Sequence, residues 1–238
     1  MKNLPPGEDD VRDRRSRNRR WPGCFLALCA ILTGCALPAR QVGSLVPTPD
    51  YRPDNVFLYP SVLPADLRRV AVLPLACEEI CGDLVAGCET LRPVLQAELI
   101  KTKKFEVVAV SPETLRNRTG CQAWTGTEVL PQDFFESLRR VYGCDAVLFC
   151  ELTAFRGYAP LAVGWRLKLV DAHTRQTLWA VDEVFDAGQK SVSGGARHFQ
   201  WARWQFWTAA PDEWLVRNSP RQFGEYAVAQ LLATLPNR

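Results

Sequence analysis

Apolar positions in this chain fall into short runs separated by polar, glycine- or proline-containing stretches, and the spacing inside each run limits what it can form. Arg69-Val70-Ala71-Val72-Leu73-Pro74-Leu75 is compact, rich in β-formers and stopped by a proline, the pattern of a buried strand. Leu91, Val94, Leu95, Leu99 and Ile100 then recur at helical spacing and predict a helix over about 89–102, with Pro93 in its first turn, where a missing N–H costs nothing. Phe105-Glu106-Val107-Val108-Ala109-Val110 follows as a second strand, so strand, helix and strand make a crossover unit. Ser111 and Pro112 mark a helix start, and Phe134, Phe135, Leu138 and Val141 line one face of a further helix that Gly143 ends. Asp145 to Phe155 alternates, with Ala146, Leu148, Cys150, Leu152 and Ala154 pointing one way. Val163, Trp165, Leu167 and Leu169 alternate again, Asp171 to Gln176 is a polar turn, and Thr177 to Asp186 runs back, which predicts an antiparallel meander. A last helix over about 220–235 groups Phe223, Ala227, Gln230 and Leu231. The expected fold is α/β (α+β): a single mixed sheet of about five strands with an antiparallel meander, flanked by roughly three to four helices.

The N-terminal residues have a different pattern. Arg12, Arg14, Arg15, Arg17, Arg19 and Arg20 precede the apolar stretch Phe25-Leu26-Ala27-Leu28-Cys29-Ala30-Ile31-Leu32, which has the length of a signal-peptide core. It closes on Leu32-Thr33-Gly34-Cys35, a run that resembles the lipobox of bacterial lipoproteins. The resemblance implies cleavage between Gly34 and Cys35, a diacylglycerol thioether on Cys35, and a second acyl chain (palmitate or similar) on its amine, the two-chain anchoring that stable attachment needs. An uncleaved anchor is the alternative, but Trp21 to Leu37 sits at the lower limit of a membrane span, and Pro22, Gly23, Thr33 and Gly34 weaken it. Arg19-Arg20 also suggest a twin-arginine signal, although Trp21-Pro22 departs from its usual continuation. Ala36 after the cysteine points to outer-membrane sorting, since an aspartate there retains enterobacterial lipoproteins at the inner membrane. Three segments are therefore expected: a signal peptide over 1–34, a lipidated cysteine with a tether over 35–66 containing Pro38, Pro47, Pro49, Pro53, Pro60 and Pro64, and a periplasmic domain over 67–238. Tyr51, Phe57 and Tyr59 are candidates for local docking of that tether on the domain.

Charge adds an exclusion. Residues 1–34 hold seven of the 29 basic and four of the 26 acidic residues, leaving 22 of each in the remainder. A near-neutral exported domain is not expected to bind nucleic acid. Cys77, Cys81, Cys88, Cys121, Cys144 and Cys150 lie beyond the lipidation position, and an even number in an exported chain favours disulfides. The spacing leaves their connectivity open. One or two bridges are expected near the Cys77 to Cys88 loop, drawing on Cys77, Cys81, Cys88, Cys121 and Cys144, with Cys150 a buried free thiol. The C-x3-C-x6-C spacing of Cys77, Cys81 and Cys88 fits no common zinc pattern, so no metal site is expected.

The order Arg69-Val70-Ala71-Val72-Leu73-Pro74, Lys104-Phe105-Glu106-Val107-Val108, Asp145-Ala146-Val147-Leu148, Leu169-Val170-Asp171-Ala172 and Thr177-Leu178-Trp179 resembles the periplasmic lipoprotein domains related to the curli-secretion channel lipoprotein, LpoB and the N-terminal domain of TolB. The resemblance spans about residues 67–235. It implies a mixed α/β sheet flanked by helices and a non-enzymatic role as an assembly, secretion or scaffold factor at the outer membrane. Long paired segments that could insert as channel hairpins are not evident in this chain.

His173 and His198 are the only histidines, and His173 sits in the polar turn, where it is expected without any catalytic role. No G-x-S-x-G occurs, Ser193-Gly194-Gly195 reads as a flexible bend, and the spacing of Glu78, Glu79, Asp83 and Glu89 does not make them converge. No cofactor is expected. Between Arg197 and Trp207, five aromatics fall within nine residues and match neither period cleanly. Trp201, Arg203, Trp204 and Trp207 are thus candidates for a partner surface, because tryptophan and arginine dominate interface hot spots. Burial of the tryptophans from a short helix against the sheet is the competing expectation. The chain is expected to be a non-enzymatic scaffold or accessory binding subunit of an envelope assembly, lipid-anchored on the periplasmic face of the outer membrane. Its expected partners are the membrane, through its lipid, and an envelope protein, with a homo-oligomer as a further expectation. A subunit of an oligomeric secretion channel is the alternative.

Overall fold

The computed structural model describes residues 51–59, 61–77, 82–204 and 218–237, without the side chains of Arg203 and Trp204, and all of these residues lie in the compact unit Pro47–Arg238. Its elements in chain order are β1 (Val56–Leu58), β2 (Arg69–Val72), β3 (Ala76–Cys77), α1 (Gly82–Thr102), β4 (Glu106–Ala109), α2 (Pro112–Thr119), α3 (Phe134–Tyr142), β5 (Ala146–Arg156), β6 (Ala162–Asp171), β7 (Thr177–Asp186), α4 (Lys190–Trp204) and α5 (Pro220–Ala233). The fold is α/β, as the hydrophobic pattern predicts.

One mixed sheet runs in the order β1-β7-β6-β5-β2-β4. β2 lies parallel to both β4 and β5, which makes β2-α1-β4 the expected crossover, while β5, β6 and β7 form the antiparallel meander. The sheet has seven strands rather than about five because two short ones escape the pattern. β3 resumes the edge of β2 after the break at Pro74, pairing Ala76 with Glu151 and Cys77 with Leu152 of β5. β1 pairs antiparallel with β7, Val56 opposite Val181 and Leu58 opposite Trp179.

β1 also moves the domain boundary. Tyr51 Oη donates to Glu183 Oε1 at 2.7 Å, the Asp54 amide donates to Glu183 Oε2 at 3.0 Å, and the Tyr51 ring meets Phe185 edge-on at 5.2 Å. Leu63 is buried, and Val62 bridges to Asn237. Residues 51–59 and 61–66 are therefore part of the folded unit and not of a tether ending at 66. Pro53 and Pro64 flank the ladder bonds of β1 without interrupting them. Burial and the Glu183 carboxylate both push the Tyr51 phenol well above its ordinary range.

Two apolar clusters sit on opposite faces of the sheet. The inner one gathers Leu84, Leu91, Leu95 and Leu99 of α1, Phe223, Tyr226 and Leu231 of α5, Val192 and Ala196 of α4, and the strand residues Leu148, Cys150, Trp165, Leu167, Trp179 and Phe185. The outer one packs Leu115 of α2 and Phe134, Phe135 and Leu138 of α3 on Ala71, Val147, Phe149 and Val170. Phe134 stacks on Phe149 at 5.8 Å and meets Phe135 and Trp124 edge-on.

Helix limits differ from the spacing in three places. α1 starts at Gly82 rather than near 89, because Leu84 and Cys88 extend the stripe of Leu91, Leu95 and Leu99 backward, and Pro93 therefore falls in the helix interior on its exposed side. Ile100 and Val141, placed on the apolar faces by spacing, are exposed. Ser193-Gly194-Gly195 is not a bend but lies within α4. Gly195 is needed there for close approach: a Cβ on it would overlap the Tyr226 hydroxyl of α5. Among the described residues, no helix is long and apolar enough to cross a membrane.

Candidate functional site

The described part of the tryptophan-rich segment is helical, and helical spacing sorts its side chains. Val192, Ala196 and Gln200 face inward, Gln200 Nε2 donates to the Gln222 carbonyl at 3.2 Å, and Phe199 packs against Tyr226 at 5.8 Å. Arg197, His198, Trp201 and Ala202 lie on the opposite, exposed side, and Trp201 keeps 49% of its surface in solvent. Trp201 thus projects from the domain, whereas Phe199 is anchored. Arg203 and Trp204 close the helix with side chains outside the described set, and Trp207 lies outside the described residues, as do Gly34, Cys35 and Cys81.

A concave surface that the sequence does not announce lies at the end of the sheet where β5 starts and β6 ends. A cleft of about 540 Å³ is lined there by Arg139, Arg140 and Gly143 at the end of α3, by Asp145, and by His173 and Arg175 of the β6–β7 turn. Each element has a local reason. Gly143 adopts a left-handed φ of 58° that ends α3, its amide returning to the Arg139 carbonyl. Asp145 Oδ2 accepts from the amides of Arg68 and Arg69 at 2.8 and 2.9 Å, fixing where β5 begins beside β2. Asp171 Oδ1 accepts from the His173 and Thr174 amides, and Arg175 closes the turn at a φ of 61°, a region that ordinarily favours glycine or asparagine. Glu136 pairs with Arg140 at 2.7 Å, two residues exposed enough for water to screen most of the attraction. Three guanidinium groups against two carboxylates suit the cleft to planar anionic groups. The sequence signal was the Arg139-Arg140 pair and Arg175, but nothing in their spacing of more than thirty residues announced that they meet. Tyr51 and Phe185 are at the far end of β7 from this cleft, about 30 Å away at roughly 3.3 Å per residue.

The cysteines are spread over both faces. Cys77, Cys88, Cys121, Cys144 and Cys150 are not joined to one another in the structure. Of the cysteines expected to bridge, Cys77 and Cys88 meet at the inner cluster, Cys144 is buried in the outer one across the sheet, and Cys121 is exposed just after α2. Burial pushes the thiols of Cys150 and Cys144 above their ordinary range. Burial first, and a hydrogen bond with Cys77 second, do the same to Cys88. No group of three metal-ligating side chains converges among the described residues.

No protein-family model and no curated protein sequence matches the chain. Among solved structures it is similar to the PelC dodecamer from Paraburkholderia phytofirmans, at 14% identity over 77% of this chain and 96% of that one, with a TM-score of 0.42. It is similar to lipoprotein GNA1162 from Neisseria meningitidis at 18% identity, over 52% of this chain and 86% of that one, with a TM-score of 0.36. It is similar to the LpoB C-terminal domain from Salmonella enterica at 18% identity, over 50% of this chain and 82% of that one, with a TM-score of 0.33.

Proposed function

We propose that this protein is a lipid-anchored, non-enzymatic scaffold or accessory subunit of a bacterial envelope assembly, held by Cys35 on the periplasmic face of the outer membrane. The observation that carries the reading is Leu32-Thr33-Gly34-Cys35, closing an apolar run behind six arginines. The exposed face of α4 at Trp201 supports a binding role, since a half-exposed tryptophan beside Arg197 has hot-spot chemistry.

Mass spectrometry of the protein from envelope fractions tests the anchor. The expected product begins at Cys35 and carries acyl mass, and Cys35→Ala leaves an unacylated protein that no longer sediments with the outer membrane. An unacylated amino end, or accumulation in the cytosol, overturns the reading. Trp201→Ala then tests the surface: crosslinking and pull-down from envelopes should lose the partner while the melting temperature stays unchanged, whereas a drop of several degrees would assign Trp201 to the core.

A second reading is a subunit of an oligomeric channel. It is favoured by β4, which ends the sheet with one side unpaired by any described strand, an edge through which copies can associate. Ring-shaped particles of the purified lipidated protein with conductance in bilayers would select it.

A further inference from the structure

Packing narrows the cysteine connectivity that the sequence leaves open. Cys77 ends β3, opposite Leu152 of β5, and is half-buried against the inner cluster. Cys88 lies in α1, 1% exposed and part of the same cluster, and its Sγ donates to the carbonyl of Ala76, the residue before Cys77, at 3.9 Å. After burial, Cys77 is the group that most raises the Cys88 thiol above its ordinary range. Cys150 shares that cluster but is wholly enclosed with its Sγ directed at the Leu148 carbonyl, and Cys144 is buried across the sheet.

We infer that Cys77 and Cys88 are the disulfide-forming pair of this domain, and that their bond staples the start of α1 to β3. The inference draws its oxidising setting from the export reading, since thiols persist in the cytosol and are oxidised in the periplasm. The bond forms by exchange with an oxidised dithiol carrier or a low-molecular-weight disulfide. The Cys77 thiolate attacks one sulfur of that disulfide, giving a mixed disulfide and releasing one thiolate. Cys88 then attacks Cys77 Sγ, its proton passing to the carrier's second departing sulfur. The two protein thiols lose two electrons and two protons, and the carrier disulfide is reduced to two thiols. Exposure assigns the order: Cys77 is accessible, whereas Cys88 is buried with its thiol held protonated, so it is suited to resolve and not to start the exchange.

The full-length protein, alkylated in intact envelopes before unfolding and digested without reductant, tests this. The expected result is a peptide joining Cys77 to Cys88, with Cys144 and Cys150 alkylated only after denaturation. Dithiothreitol should lower the melting temperature by several degrees, an effect absent from the Cys77→Ser/Cys88→Ser double variant. A link from either residue to Cys81 or Cys121 overturns the pairing. So does recovery of both as free thiols after the purified protein is incubated with glutathione disulfide. If that incubation joins Cys77 to Cys88 but protein taken from cells carries both as thiols, the pairing stands and the export reading fails.

Discussion

The two faces of the sheet are built differently. The inner face carries a continuous apolar surface from β2 to β7 under α1, α4 and α5. The outer face is divided: α2 and α3 cover Val147, Phe149 and Val170 at one end, while at the other Glu151, Arg166 and Asp182 lie side by side with none of the described helices over them. Along β5 the same alternation therefore gives Ala146, Leu148, Cys150 and Leu152 inward, but outward gives Val147 and Phe149 followed by Glu151. A strand does not need a polar outer face everywhere, only where no helix lands on it. The inner face is thus apolar along its whole length, whereas the outer face is apolar only under α2 and α3.

Three substitutions measure that difference. Trp179→Ala on the inner face should cost the most, about 3–5 kcal/mol in denaturant unfolding, because it removes a fully buried ring and the bond from its Nε1 to Thr234 Oγ1 at 3.0 Å that ties β7 to the end of α5. Phe134→Ala on the covered outer half should cost about 3 kcal/mol, the lower end of that range, since its stacking partner Phe149 belongs to a smaller cluster that can collapse toward open solvent. Arg166→Ala on the uncovered half removes ion pairs to Glu151 at 3.1 Å and Asp182 at 2.8 Å. Both pairs are solvent-screened, so the loss should stay within about 1 kcal/mol and shrink further in salt. Equal costs for Phe134→Ala and Arg166→Ala would remove the distinction between the two outer halves.

What the sequence disclosed follows from how each element satisfies its own pattern. The meander was legible because Ala146, Leu148, Cys150 and Leu152, then Trp165, Leu167 and Leu169, keep strict alternation, and an Asx turn at Asp171 joins β6 to β7. The beginning of α1 was hidden by its cysteine, which drew Cys88 into a presumed disulfide loop although the residue also continues the stripe of Leu84, Leu91 and Leu95. α4 was obscured because Gly194-Gly195 is ordinarily a breaker, and only contact with Tyr226 explains a glycine at that position. β1 has three residues, too few for a period, and its pairing depends on β7 from more than a hundred positions away. Of the candidate site residues, Trp201 could be sorted once helical phase was known. The arginine-lined cleft could not be found, since it exists only where the end of α3 meets a hairpin turn.

The docking of β1 also gives the domain an early hold on its own chain. With the Tyr51 hydroxyl on Glu183 and its ring against Phe185, a pull arriving from the N-terminal side is passed to β7 before it reaches β2. Under the anchoring proposed above, that load would enter the sheet through the three-residue ladder of β1 on β7, the shortest seam that could unzip.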